Sequence, residues 1–414
     1  MGRRALAISG VLIAGLLGPP AVAQGVPEVE SVRSTPAPNS ERRGIRTGPV
    51  VTYLSVGVRG TYNDNIFAEA DDTETDYITR VRPRVHVRTR SERHGATATA
   101  EVDAARHLNN PDEDIVDYGA RVDGHLDLGT KTRLGAELTA QREHEDRTSP
   151  DDPNGDARTP IDRYAARVTA SSQFGRLGLS AAGAVERLDF TDVPAADGVG
   201  EINNDDRDRR VARAAGRIGY GISATYEPFV QAAYNIVDYD QARDDNGFDR
   251  DSRGFEIGGG ARYRPNGFTV AEGRVGYRKQ TVADRRLGAV EGLTAELALR
   301  SNITPRTTLN VAGHRLVQQS TLTNASAFFS TRARGRIDHR FWPNLLVGAD
   351  GAIARHTFAG IAREDTIVGA GVDARYDPAA FLRLTMAYGF ARRTSTADAG
   401  FSRNKVTIGA EVRY

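Results

Sequence analysis

Between Val51 and Tyr414 the sequence repeats one pattern: segments of about ten residues in which apolar and polar side chains alternate, separated in turn by short breaks and long acidic ones. Side chains alternate across a strand with a period of two, so each segment presents one apolar and one polar face. The last segment is the plainest, with Val406, Ile408, Ala410, Val412 and Tyr414 on one face and Lys405, Thr407, Glu411 and Arg413 on the other. The period recurs at Leu54, Val56 and Val58, at Tyr164, Ala166 and Val168, and at Leu382, Leu384, Met386, Tyr388 and Phe390. A soluble sheet of this length needs a large apolar core, yet 39% of the residues are hydrophobic and 43 are glycine. A membrane barrel removes the difficulty, because lipid covers one face of every strand and water wets the other. After the first two dozen positions no apolar run approaches the length of a spanning helix, which excludes a helical membrane protein.

Short breaks fall at 91–95, 129–132, 175–176, 223–228, 265–267, 303–306, 342–344 and 377–379, and long ones lie between them, for example at 64–76, 147–162, 191–208 and 241–251. Eight short turns and nine long loops predict an all-β, antiparallel transmembrane barrel of about 18 strands (16 to 18) over residues 50–414, with short periplasmic turns and longer extracellular loops. Pro83 falls inside a strand, where it lacks the N–H a ladder needs, so a bulge or an interrupted ladder is expected there. Aromatics gather at the two ends of the apolar faces: Tyr77, Tyr118, Tyr164, Phe255 and Phe329 at the loop ends, and Phe174, Tyr220, Tyr263, Phe341 and Tyr376 near the turns. Two such rings are the interfacial girdles of a membrane barrel.

The chain opens with Arg3 and Arg4, an apolar run from Ala5 to Leu17, a Pro19-Pro20 break and Ala21-Val22-Ala23, the three parts of a secretory leader cleaved before Gln24. Residues 1–23 are therefore read as a signal peptide that carries the chain across the inner membrane of a Gram-negative cell on its way to the outer membrane, and residues 24–49, with Pro27, Pro36, Pro38 and Pro49, as a flexible periplasmic lead-in. With no cysteine there is no disulfide framework and no lipid-bearing thiol. Removing the leader takes away two arginines and no acid, which moves the formal charge from +1 to −1 and argues against a nucleic-acid binder.

The sharpest charge pattern lies on the second strand, where Tyr77, Thr79, Val81, Val85 and Val87 alternate with Arg80, Arg82, Arg84, His86, Arg88 and Arg90. With the valines toward lipid, the arginines form a ladder down the lumen wall. A smaller ladder lies at Arg332, Arg334, Arg336 and Arg340, and inward carboxylates are expected at Glu101, Asp103, Asp123, Asp127 and Glu137. These walls either set a transverse field in a water-filled pore or simply pair across strands. On ascending strands the outward face ends at the loop in Arg106, Arg142, Arg187, Lys279, Arg315, Arg355 and Arg392, a basic collar placed to meet lipopolysaccharide phosphate.

Enzymatic readings find little support. The eight histidines lack zinc-hydrolase spacing, no Gly-x-Ser-x-Gly elbow occurs, and outward-facing His339 has no assignable serine partner. The acidic runs Asp151 to Asp156 and Asp244 to Gly247 lack the full calcium-loop spacing and read as solvated turns. No cofactor or resident metal is implied.

Asn63-Asp64-Asn65-Ile66-Phe67, at the end of the first strand and before an acidic loop, resembles the opening segment of a family of outer-membrane β-barrel porins. Tyr414, an aromatic on the apolar face of the last strand, resembles the C-terminal signal read by the barrel assembly machinery. The resemblance implies a porin-like channel in contact with the bilayer, lipopolysaccharide and that machinery. Some members are linked to exopolysaccharide export, which would add export components as partners. The expected function is passage of small polar or anionic solutes or of exopolysaccharide; the alternative is a non-conducting structural or adhesive barrel that works through its acidic loops.

Overall fold

The computed structural model describes residues 29–37, 42 and 44–414, apart from residues 90, 92, 153, 154, 197 and 398. Eighteen long strands follow one another: β1 (Val50–Asn63), β2 (Asp76–Thr89), β3 (His94–His107), β4 (Ile115–Leu128), β5 (Thr132–His144), β6 (Pro160–Phe174), β7 (Leu177–Phe190), β8 (Arg209–Tyr220), β9 (Tyr226–Tyr239), β10 (Ser252–Asn266), β11 (Thr269–Val282), β12 (Val290–Thr304), β13 (Thr307–Gln319), β14 (Ala327–Trp342), β15 (Leu345–Ala359), β16 (Glu364–Ala379), β17 (Leu382–Ser395) and β18 (Phe401–Arg413). Each pairs antiparallel with the next, and β18 returns to β1 from Ser55↔Arg413 to Asn63↔Lys405, which closes the barrel. Closure is what hydrocarbon demands, since an open edge would leave unpaired N–H and C=O groups where no water can reach them. The short strand Ile45–Thr47 folds back on Val50–Thr52 and leads into the wall.

The alternation read from the sequence sets the two faces. Val56, Val58, Val168, Ile257 and Ile408 are each about half exposed or more and point away from the lumen, as a lipid-covered face must. All the aromatics expected in the two girdles share that outward face; Phe329 alone among them is half-buried, beneath the Arg315 guanidinium. The small apolar clusters, Ile78 with Ala105 and Ile115, Ile161 with Leu188 and Phe190, and Ala325 with Phe328 and Phe358, gather at the loop end. The interior therefore has polar walls, with these apolar clusters gathered beneath the loops.

The eight tight turns appear where expected, shifted by up to three residues wherever proline had suggested the break. Pro265 and Pro378 lie inside β-bulges, between Tyr263 and Asn266 and between Tyr376 and Ala379, so the strands run on past them. Pro83 interrupts a ladder without bulging it: pairing with β3 lapses at Arg82 and Pro83 and resumes in the same register at Arg84↔Glu101, while Val56 stays opposite Pro83 on the other side. At the hairpin of β6 and β7, Gly175 takes φ +59°, the positive value that the first position of a II′ turn requires and glycine adopts without strain.

The proposed leader, residues 1–23, lies outside the described residues. The described part of the lead-in departs from the expectation of a flexible tether. Residues 29–37 are tied to the turn-side wall of β12 to β16, with Val29, Val32 and Ala37 buried. Composition misleads here because the bonds are made to strands some 270 residues or more away, which no local pattern reports.

The depth of the apolar band is testable. Val168→Arg, in the middle of β6, is expected to cost about 2–4 kcal/mol of folding free energy, and Thr281→Arg, beside a loop, about 0–1 kcal/mol. Urea titration in phospholipid vesicles measures both, and equal costs would refute this placement of the membrane.

Candidate functional site: a charged lumen and its two mouths

Arg80, Arg82, Arg84, His86 and Arg88 all face inward from β2; Arg90 is outside the described residues. Their partners sit next door. Arg80 Nη1 reaches Asp103 at 3.3 Å, Arg82 bonds the same carboxylate, Arg84 Nε donates to Glu101 at 2.7 Å, and Arg88 donates to the Tyr53 hydroxyl at 2.8 Å. The remaining acids are also held by neighbours: Glu137 by Arg121 at 2.5 Å, Asp127 by Arg133 at 2.7 Å, and Asp123 by the Thr97 hydroxyl at 2.7 Å. The expected carboxylate wall therefore adjoins the arginine ladder and pairs across strands instead of facing it over the lumen.

Two cations stand apart from this pairing. Arg59 on β1 lies directly opposite Arg80 in register, and Lys405 on β18 lies opposite Asn63; neither side chain makes an ion pair or hydrogen bond among the described residues. Like charges set opposite one another raise the local positive potential. The second ladder divides. Arg336 bridges Asp350 at 2.7 Å, Asp338 at 3.0 Å and Asp373, Arg334 lies 3.5 Å from Asp350, and Arg332 has no carboxylate partner among the described residues.

A third charged wall escaped the sequence reading. Arg217 on β8 donates to Glu272 at 2.7 Å and stacks 3.4 Å from the Phe229 ring centre, Arg262 donates to Glu272 at 2.9 Å, and Arg274 to Glu296 at 2.9 Å. The signal was the even spacing of Arg209, Arg213 and Arg217, four residues apart and so on one face.

The turn-side mouth is narrowed by residues 29–37. Arg33 Nε donates to Asp338 at 2.9 Å and Nη2 to Asp373 at 2.5 Å. Val32 N–H donates to Thr308 Oγ1 at 2.9 Å, and Arg340, the fourth member of the second ladder, donates to the carbonyls of Val32 and Thr35, the latter at 2.7 Å.

The loop-side mouth is crossed by the loop between β5 and β6. Buried Glu113 takes Arg147 Nε at 3.0 Å and Arg158 Nε at 2.6 Å, and Asp146 lies 3.6 Å from Arg403 of β18. At the far end Asp151 accepts from the Ser320 hydroxyl at 2.8 Å. Ser320 follows β13, eight strands around an eighteen-strand ring from β5, so the loop spans most of the opening. Arg250 fastens the anchor, donating to Asp244 at 2.6 Å and to the carbonyls of Ser320 at 2.9 Å and Ala325 at 2.8 Å. Burial alone would raise Asp146, but Arg403, Lys405 and Arg158 hold its carboxyl well below the usual range. Asp151, with mainly its burial acting on it, is pushed up. Asp244 also accepts from the N–H groups of Asn246 at 3.0 Å and Phe248 at 2.7 Å, the arrangement of a turn.

On the outward face most of the collar carries its own counter-charge. Arg106 pairs with Asp114 at 2.9 Å, Arg142 with Asp162 at 2.6 Å, Arg187 with Asp240 at 2.6 Å, Lys279 with Glu291 at 3.1 Å, and Arg355 with Glu364. Arg315 donates to Thr331 Oγ1 at 2.8 Å and lies 4.4 Å from the Phe329 ring centre; neither it nor Arg392 has a carboxylate partner among the described residues. His339 shares a hydrogen bond of 2.9 Å with the Thr307 hydroxyl, and the Tyr414 ring lies exposed at the turn-side rim.

The family model described as Putative beta-barrel porin 2 matches residues 37–414. No curated protein matches the chain. Among solved structures the chain is similar to the outer membrane protein OpdK of Pseudomonas aeruginosa, at 12% identity and a TM-score of 0.48, covering 88% of this chain and 99% of that one. A variant of the ferric enterobactin receptor PfeA of the same organism gives 7% identity and a TM-score of 0.48 over 88% and 80% of the two chains. OccAB4 of Acinetobacter baumannii gives 11%, 0.46, 91% and 100%.

The loop network carries a pH signature. Burial lifts Asp208 to about 6, aided by Asp189, Asp205 and Asp240 and opposed by the Phe190 N–H it accepts. Its folded value lies above the unfolded value of about 3.9, so the native state binds more protons between about pH 4 and 6 and its contribution to stability declines as pH rises through that window. Asp208→Asn, which keeps the acceptor, is expected to flatten that part of the melting-temperature profile between pH 4 and 7. Identical profiles for the two proteins would refute it.

Proposed function

The chain belongs to the Putative beta-barrel porin 2 family, and from that premise we propose that this outer-membrane barrel is a channel for small anionic solutes. The observation that carries the reading is a closed ring of eighteen strands with one apolar face for lipid and one face lined by arginine and carboxylate. A ring of this size encloses an aqueous lumen unless something fills it. Arg59, Lys405 and Arg332, inward cations that form no ion pair among the described residues, support a preference for anions. Two features favour small solutes over exopolysaccharide: residues 29–37 narrow the turn-side mouth, and the loop between β5 and β6 crosses the other. A polymer would have to displace both. The same crossing loop is what favours the alternative, a closed barrel whose work is done by its loops.

Planar-bilayer recording decides between them. Discrete open-channel steps with an anion-shifted reversal potential under a salt gradient are expected, and Arg59→Ser with Arg82→Ser and Arg84→Ser should move that potential toward cations. A barrel with no current would fit the alternative, and unchanged selectivity in the triple variant would remove Arg59, Arg82 and Arg84 from the mechanism.

The collar supports a narrower proposal than its sequence suggested. Five of its seven cations are neutralised in place, which leaves Arg315 and Arg392 to meet lipopolysaccharide phosphate, whose geometry suits the planar guanidinium fork. Arg315→Gln with Arg392→Gln is expected to lower co-purified lipopolysaccharide more than Arg106→Gln with Arg142→Gln. Equal amounts in the two double variants would reduce the collar to loop chemistry.

A further inference from the structure

Near the loop end of the lumen wall, β13, β14 and β15 bring together His314, Gln318, Ser330, Arg332 and His356. The register sets His314 directly opposite Arg332, Ser330 directly opposite His356, and Gln318 opposite Phe328. Directly opposed side chains stand about 4.5–5.5 Å apart at Cβ, and three adjacent strands span roughly 10 Å. The five residues thus form a single patch.

This patch is unusual in its hydrogen bonding. Ser330 is 0% exposed and His356 2% exposed, yet Ser330 Oγ and both ring nitrogens of His356 have no partner among the described residues. Nor do His314 Nε2 and Gln318 Nε2, which are likewise shut off from solvent. Buried polar atoms are nearly always bonded, so five orphans on three neighbouring strands mark a place where something else supplies the partners.

The chemistry of the missing partner follows from what surrounds it. Every nearby carboxylate is already engaged by another arginine: Asp350 by Arg336 at 2.7 Å, Glu296 by Arg274 at 2.9 Å, and Asp365, opposite His356 in register, by Arg363 at 2.9 Å. Arg332 is left with five guanidinium donors and no carboxylate. An amide NH2, a hydroxyl and two imidazoles surround it, so the patch is rich in donors and has no free acid. Phe328, whose ring centre lies 4.9 Å from that of His356, and Phe358 wall it on the loop side and keep bulk water away, which strengthens each charged contact. Ser330, His356 and Asp365 fall in one cross-strand row, but no hydrogen bond links Ser330 to His356 and Asp365 is held by Arg363, so the row is not connected as a nucleophile relay.

We propose that His314, Gln318, Ser330, Arg332 and His356 form a binding site in the lumen for an oxyanion, the carboxylate or phosphate group of a solute, with Arg332 as its bidentate anchor. The proposal rests on the channel reading for its biological meaning, since the site lies on the path such a solute would take.

Calorimetric titration of the full chain in detergent tests it, with sodium phosphate and sodium succinate as probes. Wild type is expected to bind at least one probe in a 1:1 ratio. Binding of phosphate alone or of succinate alone identifies the group, and binding of both assigns the shared oxyanion chemistry. Arg332→Ser should weaken binding at least tenfold, and Ser330→Ala, which removes a single hydroxyl and keeps the fold if Arg332→Ser does not, several-fold. Arg264→Ser, whose guanidinium pairs with Glu227 at 3.4 Å near the turns, should bind as wild type does. If neither probe binds, water alone satisfies the orphan donors and the site is refuted; wild-type affinity in Arg332→Ser refutes it equally. Titration needs no current, so lost binding with intact conductance overturns this site alone, and intact binding without conductance overturns the channel reading alone.

Discussion

Everything in this molecule depends on satisfying its backbone. In hydrocarbon an unpaired N–H or C=O costs several kcal/mol, so a sheet in a membrane must close, and here it does so where β18 meets β1. Closure fixes the rest. Once the ladder is a ring, each strand has an outside that only lipid can cover and an inside with no apolar core to join. The period of two in the sequence then decides which side chains go where. Even at Pro83, where one ladder lapses for two residues, the register is kept, because a slip of one position would turn every arginine of β2 toward lipid.

The inner face obeys a different constraint. It holds many arginines, and an arginine wall without counter-charges would repel itself. The structure answers with pairs and triads: Arg82 and Arg80 on Asp103, Arg217 and Arg262 on Glu272, Arg336 across three aspartates. Such sharing suits arginine, whose planar fork offers several donors in fixed directions, and it agrees with a chain in which lysine occurs only at positions 131, 279 and 405. What sets one part of the lumen wall apart from another is therefore not its total charge but the few groups the pairing leaves over.

How much of this was legible in the sequence follows from the range of each interaction. Strand number, the two faces, the girdles and the inward parity of the β2 arginines are local consequences of alternation, and they could be read residue by residue. Turn positions were read less well at Pro265 and Pro378, because proline marks a break in the ladder and a bulge is as good a break as a turn. Arg33 on Asp338 and Asp373, Asp151 on Ser320 and Arg250 on the carbonyls beyond β13 join residues far apart in the chain. No periodicity records them. The partners of the collar are intermediate: Asp114, Asp162 and Glu291 stand in the sequence as acids in or beside the long breaks, but only the fold sets them beside Arg106, Arg142 and Lys279.

The non-local contacts have a common logic. A barrel wall is rigid, since each strand is held on both sides, so any adjustable part must be a segment that the wall does not contain. Residues 29–37 and the loop between β5 and β6 are such segments, and both are fastened through side chains to inward groups of the wall. Their fastenings differ in kind. The turn-side segment is held largely by ion pairs and arginine-to-carbonyl bonds in which Arg33 and Thr35 stay partly exposed to water and salt. The crossing loop is held by Glu113 and Arg250, both buried, and charge-assisted bonds shielded from water lose less to screening. The two mouths of the lumen are thus fastened in different ways: the loop-side constriction by buried charge-assisted bonds, the turn-side one by ion pairs and arginine-to-carbonyl bonds nearer to solvent.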